Sequence, residues 1–212
     1  MKKSWWILFL LSVAIMLPFV IPYLSLNPAS SRIVISSRAL QYPALVIHII
    51  LALLAMTTGF LQFHKTLRKN KPSLHVLLGK VYVSSILLSG GFTLILIGYE
   101  PDYGRALSFL FLDLLWLFTT VKGFQAAMNK DFEAHKKWMI RSFAMTLTAV
   151  SARAVVPLLI LTYLLLHRFS LPDGRMGMIE EVLDNNIWAA LILNFIIVEW
   201  YLLKPRREQL SL

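Results

Sequence analysis

Two histidines stand where two long apolar segments begin. His75 lies in Pro72-Ser73-Leu74-His75-Val76-Leu77-Leu78-Gly79-Lys80-Val81-Tyr82, and His135 in His135-Lys136-Lys137-Trp138-Met139-Ile140-Arg141. Imidazole is the commonest metal ligand among side chains, and the electropositive first turn of a helix suits the neutral ring with its free lone pair. If both segments are parallel membrane helices that start on one face, His75 and His135 share a depth, and one ligand between them is geometrically allowed. Gly79, a turn deeper than His75, leaves room for a flat ring, while Arg141 and nearby lysines can receive carboxylates. Those features fit a b-type haem with two imidazole axial ligands. The same residues also read as interfacial polar side chains at helix starts, or as holders of another metal or an anion; His64, at the end of the preceding segment, adds to the metal reading.

Other chemistries are excluded or weakly supported. The chain has no cysteine, which rules out disulfides, thiolate-bound iron–sulfur clusters and cysteine nucleophiles within it. A metal centre must use His, carboxylate or Met. There is no H-E-x-x-H motif, no dense histidine box, no phosphate-binding glycine loop and no nucleophile elbow. His48 has no histidine partner in the fourth apolar segment, so at most one bis-histidine haem is expected.

The elements that must position these groups are membrane helices. Of the 212 residues 58% are hydrophobic and only 15% charged, and the apolar residues gather into runs of about 20, the length that crosses a bilayer as a helix. The runs near 5–25, 43–63, 76–98, 106–127, 138–165 and 186–203 predict one all-α, polytopic domain of six spans, with both termini on the same side. The first run has Lys2 and Lys3 ahead of it, as a signal peptide would, but it is long, carries Pro18 and Pro22, and lacks a small-x-small cleavage site; it reads as a retained helix. Lys2, Lys3, Lys65, Arg68, Lys69, Lys71, Lys130, Lys136, Lys137, Lys204, Arg206 and Arg207 fall on one face, which the positive-inside rule makes cytoplasmic. The expected location is the bacterial inner membrane. A net charge of +10 is carried beside the spans, so it implies contact with anionic lipid, above all at the 64–75 loop, and not nucleic acid. On the other face the loops 26–42 and 167–185 are expected to cap the bundle, the second with a turn at Leu171-Pro172-Asp173-Gly174. Asp131, and Ser73 after Pro72, read as helix N-caps.

Inside the spans, helical spacing puts His75, Gly79, Tyr82, Ser89 and Thr93 on one side of the third, and His135, Ser142, Thr146, Ala149 and Arg153 on one side of the fifth. The second span has a strip of His48, Ala52, Ala55 and Gly59 suited to close packing. Ionisable groups at membrane depth need partners or water. His48, Asp113 and Arg153 fall at one depth, roughly 7–11 Å below the outer edge at 1.5 Å per residue, which predicts an Asp113–Arg153 ion pair with His48 beside it, or a small polar path. Arg141 and Glu199 share a depth near the basic face and are expected to pair.

The order of these signals resembles a bacterial family of predicted multi-pass membrane proteins, domain of unknown function 2306. The residues concerned are Gly59-Phe60-Leu61-Gln62-Phe63, His75 to Tyr82, Trp116-Leu117-Phe118-Thr119-Thr120, His135 to Ser142, Arg153, Asn194 and Glu199-Trp200, with H-x-x-W-M-x-R the most specific element. Val76 and Lys80 stand where the family pattern carries arginine, which weakens any role there that needs a guanidinium. The resemblance implies a topology and a set of residues, but no reaction. Three functions are therefore expected to compete: a haem b redox protein serving a quinol or redox partner, a carrier or small-ligand binder using the polar path, and a non-catalytic scaffold or lipid-binding component.

Overall fold

A computed structural model describes residues 3–204; Lys2, Arg206 and Arg207 lie outside the described residues. Regular structure among those residues is helical: α1 (Lys3–Leu24), a 3-10 turn (Pro28–Ser30), α2 (Gln41–Gln62), α3 (Lys65–Asn70), α4 (Pro72–Ile97), α5 (Tyr103–Met128), α6 (Phe132–Thr146), α7 (Thr148–Ala154), α8 (Val156–Leu166) and α9 (Gly174–Leu203). Helices α1, α2, α4, α5 and α9 are each long and apolar enough to cross a bilayer, and α7 with α8, bent by 45°, makes a sixth crossing when counted as one span. Leu87, Leu88, Leu114, Phe118, Ile192 and Ile196 turn outward. So large an apolar exterior is tolerable only against lipid. The protein is a multi-pass membrane protein.

The centre is packed by α2, α4, α5 and α6. Ala55, Met56, Phe60, Tyr82, Ile86, Trp116 and Phe143 form its buried cluster. Gly59 permits the closest approach: a Cβ there would stand 2.5 Å from the Phe143 ring and 3.0 Å from that of Tyr82. Helix α1 packs on this cluster from outside through Trp5, which lies edge-on to Phe60 at 5.2 Å and donates its indole N–H to the Phe60 carbonyl at 3.2 Å.

Three local expectations change. The single fifth span is two breaks and three helices. At Val155 the cause is Pro157, in the first turn of α8, which has no N–H to return to the Arg153 carbonyl. At Leu147 the cause is Asn194 of α9, whose Nδ2 donates to the Ala144 carbonyl at 3.0 Å and so enters the helical ladder from the side. The expected loop 167–185 is a turn, closed by Gly174 N–H to the Leu171 carbonyl at 3.0 Å with Gly174 at φ 70°, after which α9 begins. Its first three turns carry Arg175, Glu180, Glu181 and Asp184, so they read as loop, yet they extend the last span as helix. Finally, Ser73 lies inside the first turn of α4, where Lys71 is the capping position and Pro72 occupies the start.

The 26–40 connection is held by side chains. Gln41, 3% exposed, accepts from the Ser36 and Ser37 N–H groups at 2.6 and 3.2 Å and donates to the Val34 carbonyl at 3.1 Å. Tyr23 Oη accepts from the Arg32 N–H at 3.1 Å. The loop is thereby fixed to the ends of α1 and α2.

Candidate functional site

At the basic end, α4 and α6 each begin with a short run of polar residues. Asp131 caps α6, its Oδ1 accepting from the Ala134 N–H at 3.0 Å, and this places His135 in the first turn. His135 Nδ1 lies 2.8 Å from the Gly123 carbonyl of α5. A carbonyl only accepts, so Nδ1 carries the proton and the Nε2 lone pair stays free in the neutral ring. His75 Nδ1 is buried without a hydrogen-bond partner. Both rings stand in the first turns of α4 and α6 at the basic end, each seven residues before the Tyr82–Ser142 contact at 2.8 Å that joins the two helices, with Arg68 on α3 at the same end.

Other expected contributors are otherwise engaged. Arg141 makes a two-point ion pair with Glu199, Nε to Oε1 at 2.6 Å and Nη2 to Oε2 at 3.0 Å, and lies 4.9 Å over the Trp138 ring. It is therefore a tie between α6 and α9 and not an open receiver of carboxylates. Beside Gly79 the nearest atoms to a Cβ would be those of the Gln62 amide, from 3.7 Å; Gln62 fills the gap expected for a flat ring and donates to the His75 carbonyl at 2.9 Å. His64 caps α3, accepting from the Leu67 N–H at 3.4 Å. Among the described residues no group of three or more metal-ligating side chains occurs.

Halfway along the bundle the polar stripes join into one network. Tyr82 Oη lies 2.8 Å from Ser142 Oγ and 3.0 Å from Thr146 Oγ1. Trp116 Nε1 donates to Thr146 Oγ1 at 2.9 Å, Thr120 Oγ1 donates to the Trp116 carbonyl at 2.7 Å, and Thr120 and Ser142 hydroxyls meet at 2.7 Å. Thr146 also donates to the Ser142 carbonyl at 3.1 Å. Tyr82 can donate to Thr146 and Ser142 to Tyr82, with the Thr120 proton shared between the Trp116 carbonyl and Ser142, so every proton has an acceptor and every contact a proton. A buried network that is fully satisfied fixes helix packing.

Nearer the opposite end, the expected cluster of His48, Asp113 and Arg153 is divided. His48 Nδ1 lies 2.9 Å from each of the Ser89 and Thr93 hydroxyl oxygens. Asp113 is 2% exposed, lies against Gly90 with Oδ1 3.1 Å from where a Cβ would stand, and has no partner for either carboxylate oxygen. The Asp113–Arg153 ion pair is not formed. Arg153 instead donates from Nη1 to the Ala149 carbonyl at 2.6 Å and stacks on Phe19 of α1 at 4.1 Å. Each of the three meets different neighbours, so equal expected depth does not make them partners.

A family model for predicted membrane proteins, DUF2306, matches residues 45–202. The chain belongs to this family. The match covers α2 to α9 almost completely and leaves α1 and the whole 26–40 loop outside it. No match was found among the curated proteins or among the solved structures. In this DUF2306 chain the elements that carry the resemblance are structurally joined: Tyr82, Trp116, Thr120 and Ser142 meet in the hydroxyl network, and Gly59 seats Phe143. Trp116 and Thr120 were visible in the sequence only as motif residues, and Arg68 only as one cation of a basic loop. No spacing within a single helix reports a partner on another helix.

Proposed function

We propose that this DUF2306 protein is a b-type haem redox protein of the bacterial cytoplasmic membrane, with one haem held by His75 and His135 at the basic, cytoplasmic end and a quinol or protein partner there. The observation that carries the reading is the buried, unpartnered His75 Nδ1 beside an imidazole whose own Nδ1 is bonded to the Gly123 carbonyl. A ring oriented by such a bond is the usual form of an imidazole ligand. Two neutral imidazoles without thiolate or a third ligating group suit a haem iron better than a structural zinc site. When bound, the haem supplies one-electron chemistry. The chain's part is to hold the rings: Gly123 sets the His135 tautomer, Arg68 offers a guanidinium for a haem carboxylate, and Gln62 must turn aside from Gly79 to admit the ring. The Lys and Arg excess at this end supports the orientation.

The test is the visible spectrum of protein expressed with ample haem and purified in detergent. Soret and alpha bands that shift on reduction are expected, and each of His75→Ala and His135→Ala should remove them while the protein still elutes as a folded species. Absence of the bands in the unaltered protein would overturn the reading.

A second reading rests on Asp113. A carboxyl at membrane depth with both oxygens unpartnered and 2% exposure suits a group that takes up a proton or small cation during transport. Its expectation is that Asp113→Asn abolishes a proton-coupled flux in vesicles while no haem is found in the unaltered protein.

A further inference from the structure

At the end of the bundle away from His75 and His135, two guanidinium groups converge without a carboxylate. Arg153 of α7 lies 4.1 Å from the centroid of the Phe19 ring, and Arg32 of the 26–40 loop lies 4.9 Å from the same centroid. The two guanidinium carbons are therefore within about 9 Å of each other, the sum of those distances. Among the described residues neither has an ion-pair partner. The contrast is Arg105 at the same end, which holds both Glu100 and Asp184 at 3.0 and 3.1 Å.

The placement is fixed on both sides. Phe19 and Tyr23 are one turn apart on α1, and the Tyr23 hydroxyl holds the Arg32 backbone while Gln41 holds the rest of the loop. Arg153 is anchored by its bond to Ala149, and its Nε is buried without a partner. Stacking on an aromatic face leaves the N–H edges of a guanidinium free to point past the ring. A phosphate oxygen takes such an edge in a two-point contact that puts phosphorus about 4 Å from the guanidinium carbon. One phosphate bridging two such groups, around the edge of the ring, requires guanidinium carbons about 8 Å apart or less, a span that the limit of about 9 Å admits.

We propose that Arg32 and Arg153, set about Phe19, form a binding site for a single phosphate-type oxyanion at the outer membrane surface, presented by an anionic phospholipid headgroup or as free phosphate. The site is independent of the haem reading. It unites a loop and helix outside the family match with a residue inside it.

Native mass spectrometry of the purified full chain tests this, with phosphatidylglycerol and phosphatidylcholine as probes and inorganic phosphate at millimolar concentration as a competitor. Retention of phosphatidylglycerol over phosphatidylcholine is expected, falling at least about fivefold in Arg32→Gln and Arg153→Gln and unchanged in the loop control Arg38→Gln. Competition by inorganic phosphate would identify the free ion as a sufficient ligand; retention insensitive to it would identify the lipid headgroup. If Arg153→Gln fails to fold, Arg32→Gln, in an exposed loop, decides alone. Phosphatidylglycerol retention and phosphate response equal to the unaltered protein in Arg32→Gln would overturn the proposal.

Discussion

Thr146→Val should destabilise the protein more than Tyr82→Phe, although the tyrosine is the larger group and each change removes one hydroxyl. In Tyr82→Phe the bonds at 2.8 and 3.0 Å to Ser142 and Thr146 are lost. Ser142 then still meets Thr120, and Thr146 still accepts from Trp116 and donates to the Ser142 carbonyl. No buried group is orphaned, and two interhelical bonds in a membrane protein amount to about 1 kcal/mol. Thr146→Val keeps the shape but removes the acceptor of the Trp116 indole N–H, for which no second partner stands within reach. A buried donor left unpaired costs about 1–3 kcal/mol, added to the loss of the Tyr82 bond, so the expected total is about 2–3 kcal/mol. The assay is reversible unfolding in mixed micelles, with Trp116→Phe as the second arm of a double-mutant cycle. In the Trp116→Phe background the indole donor is gone, and the cost of Thr146→Val should fall to about 1 kcal/mol. Equal effects of Thr146→Val in both backgrounds, or a larger effect of Tyr82→Phe, would refute the network as drawn.

Gly59→Ala should be more damaging than Gly123→Ala, although both new Cβ atoms meet a neighbour at 2.5 Å: at Gly59 the neighbour is the Phe143 ring wedged in the core, and at Gly123 it is the sulfur of Met139, which has rotamers to spare. Thermal unfolding followed by size-exclusion recovery should give a midpoint loss several degrees greater for Gly59→Ala. Arg141→Ala should lower stability by about 1–3 kcal/mol because it leaves Glu199, 26% exposed, without its guanidinium; the pair-removing combination with Glu199→Gln should recover part of this in the same unfolding assay, whereas additive losses would show that the two side chains act separately.

The spans were legible because each apolar run is long enough for a bilayer and carries its own signal. What escaped depends on pairs of helices. Nothing near Leu147 announces the break there, since its agent, Asn194, is a residue on another helix. Pro157 is a break signal in the sequence, but the 138–165 run reads as one span from its apolar length alone. The first turns of α9 read as a loop because Arg175, Glu180, Glu181 and Asp184 are polar, and polarity at a membrane surface is equally compatible with a solvated helix. At the sites, depth was legible and direction was not. His48, Asp113 and Arg153 are expected at one level, yet His48 meets Ser89 and Thr93, Asp113 lies against Gly90 and Arg153 stacks on Phe19; His75 and His135 each stand seven residues before the Tyr82–Ser142 contact that joins α4 to α6.

The broken span has two unlike joints. At Leu147, Asn194 binds the Ala144 carbonyl, the Thr148 hydroxyl and the Ser151 hydroxyl, at 3.0, 3.2 and 2.9 Å, so α6 and α7 are fastened across the break to a single point on α9. Among the described residues no side-chain hydrogen bond crosses Val155, where α7 turns into α8. Mechanically the first joint is a weld and the second a pivot. A tilt of α9 must therefore carry α7, and Arg153 with it, through hydrogen bonds, whereas α8 is coupled to α9, among the described residues, by side-chain packing alone, with Tyr163 buried there.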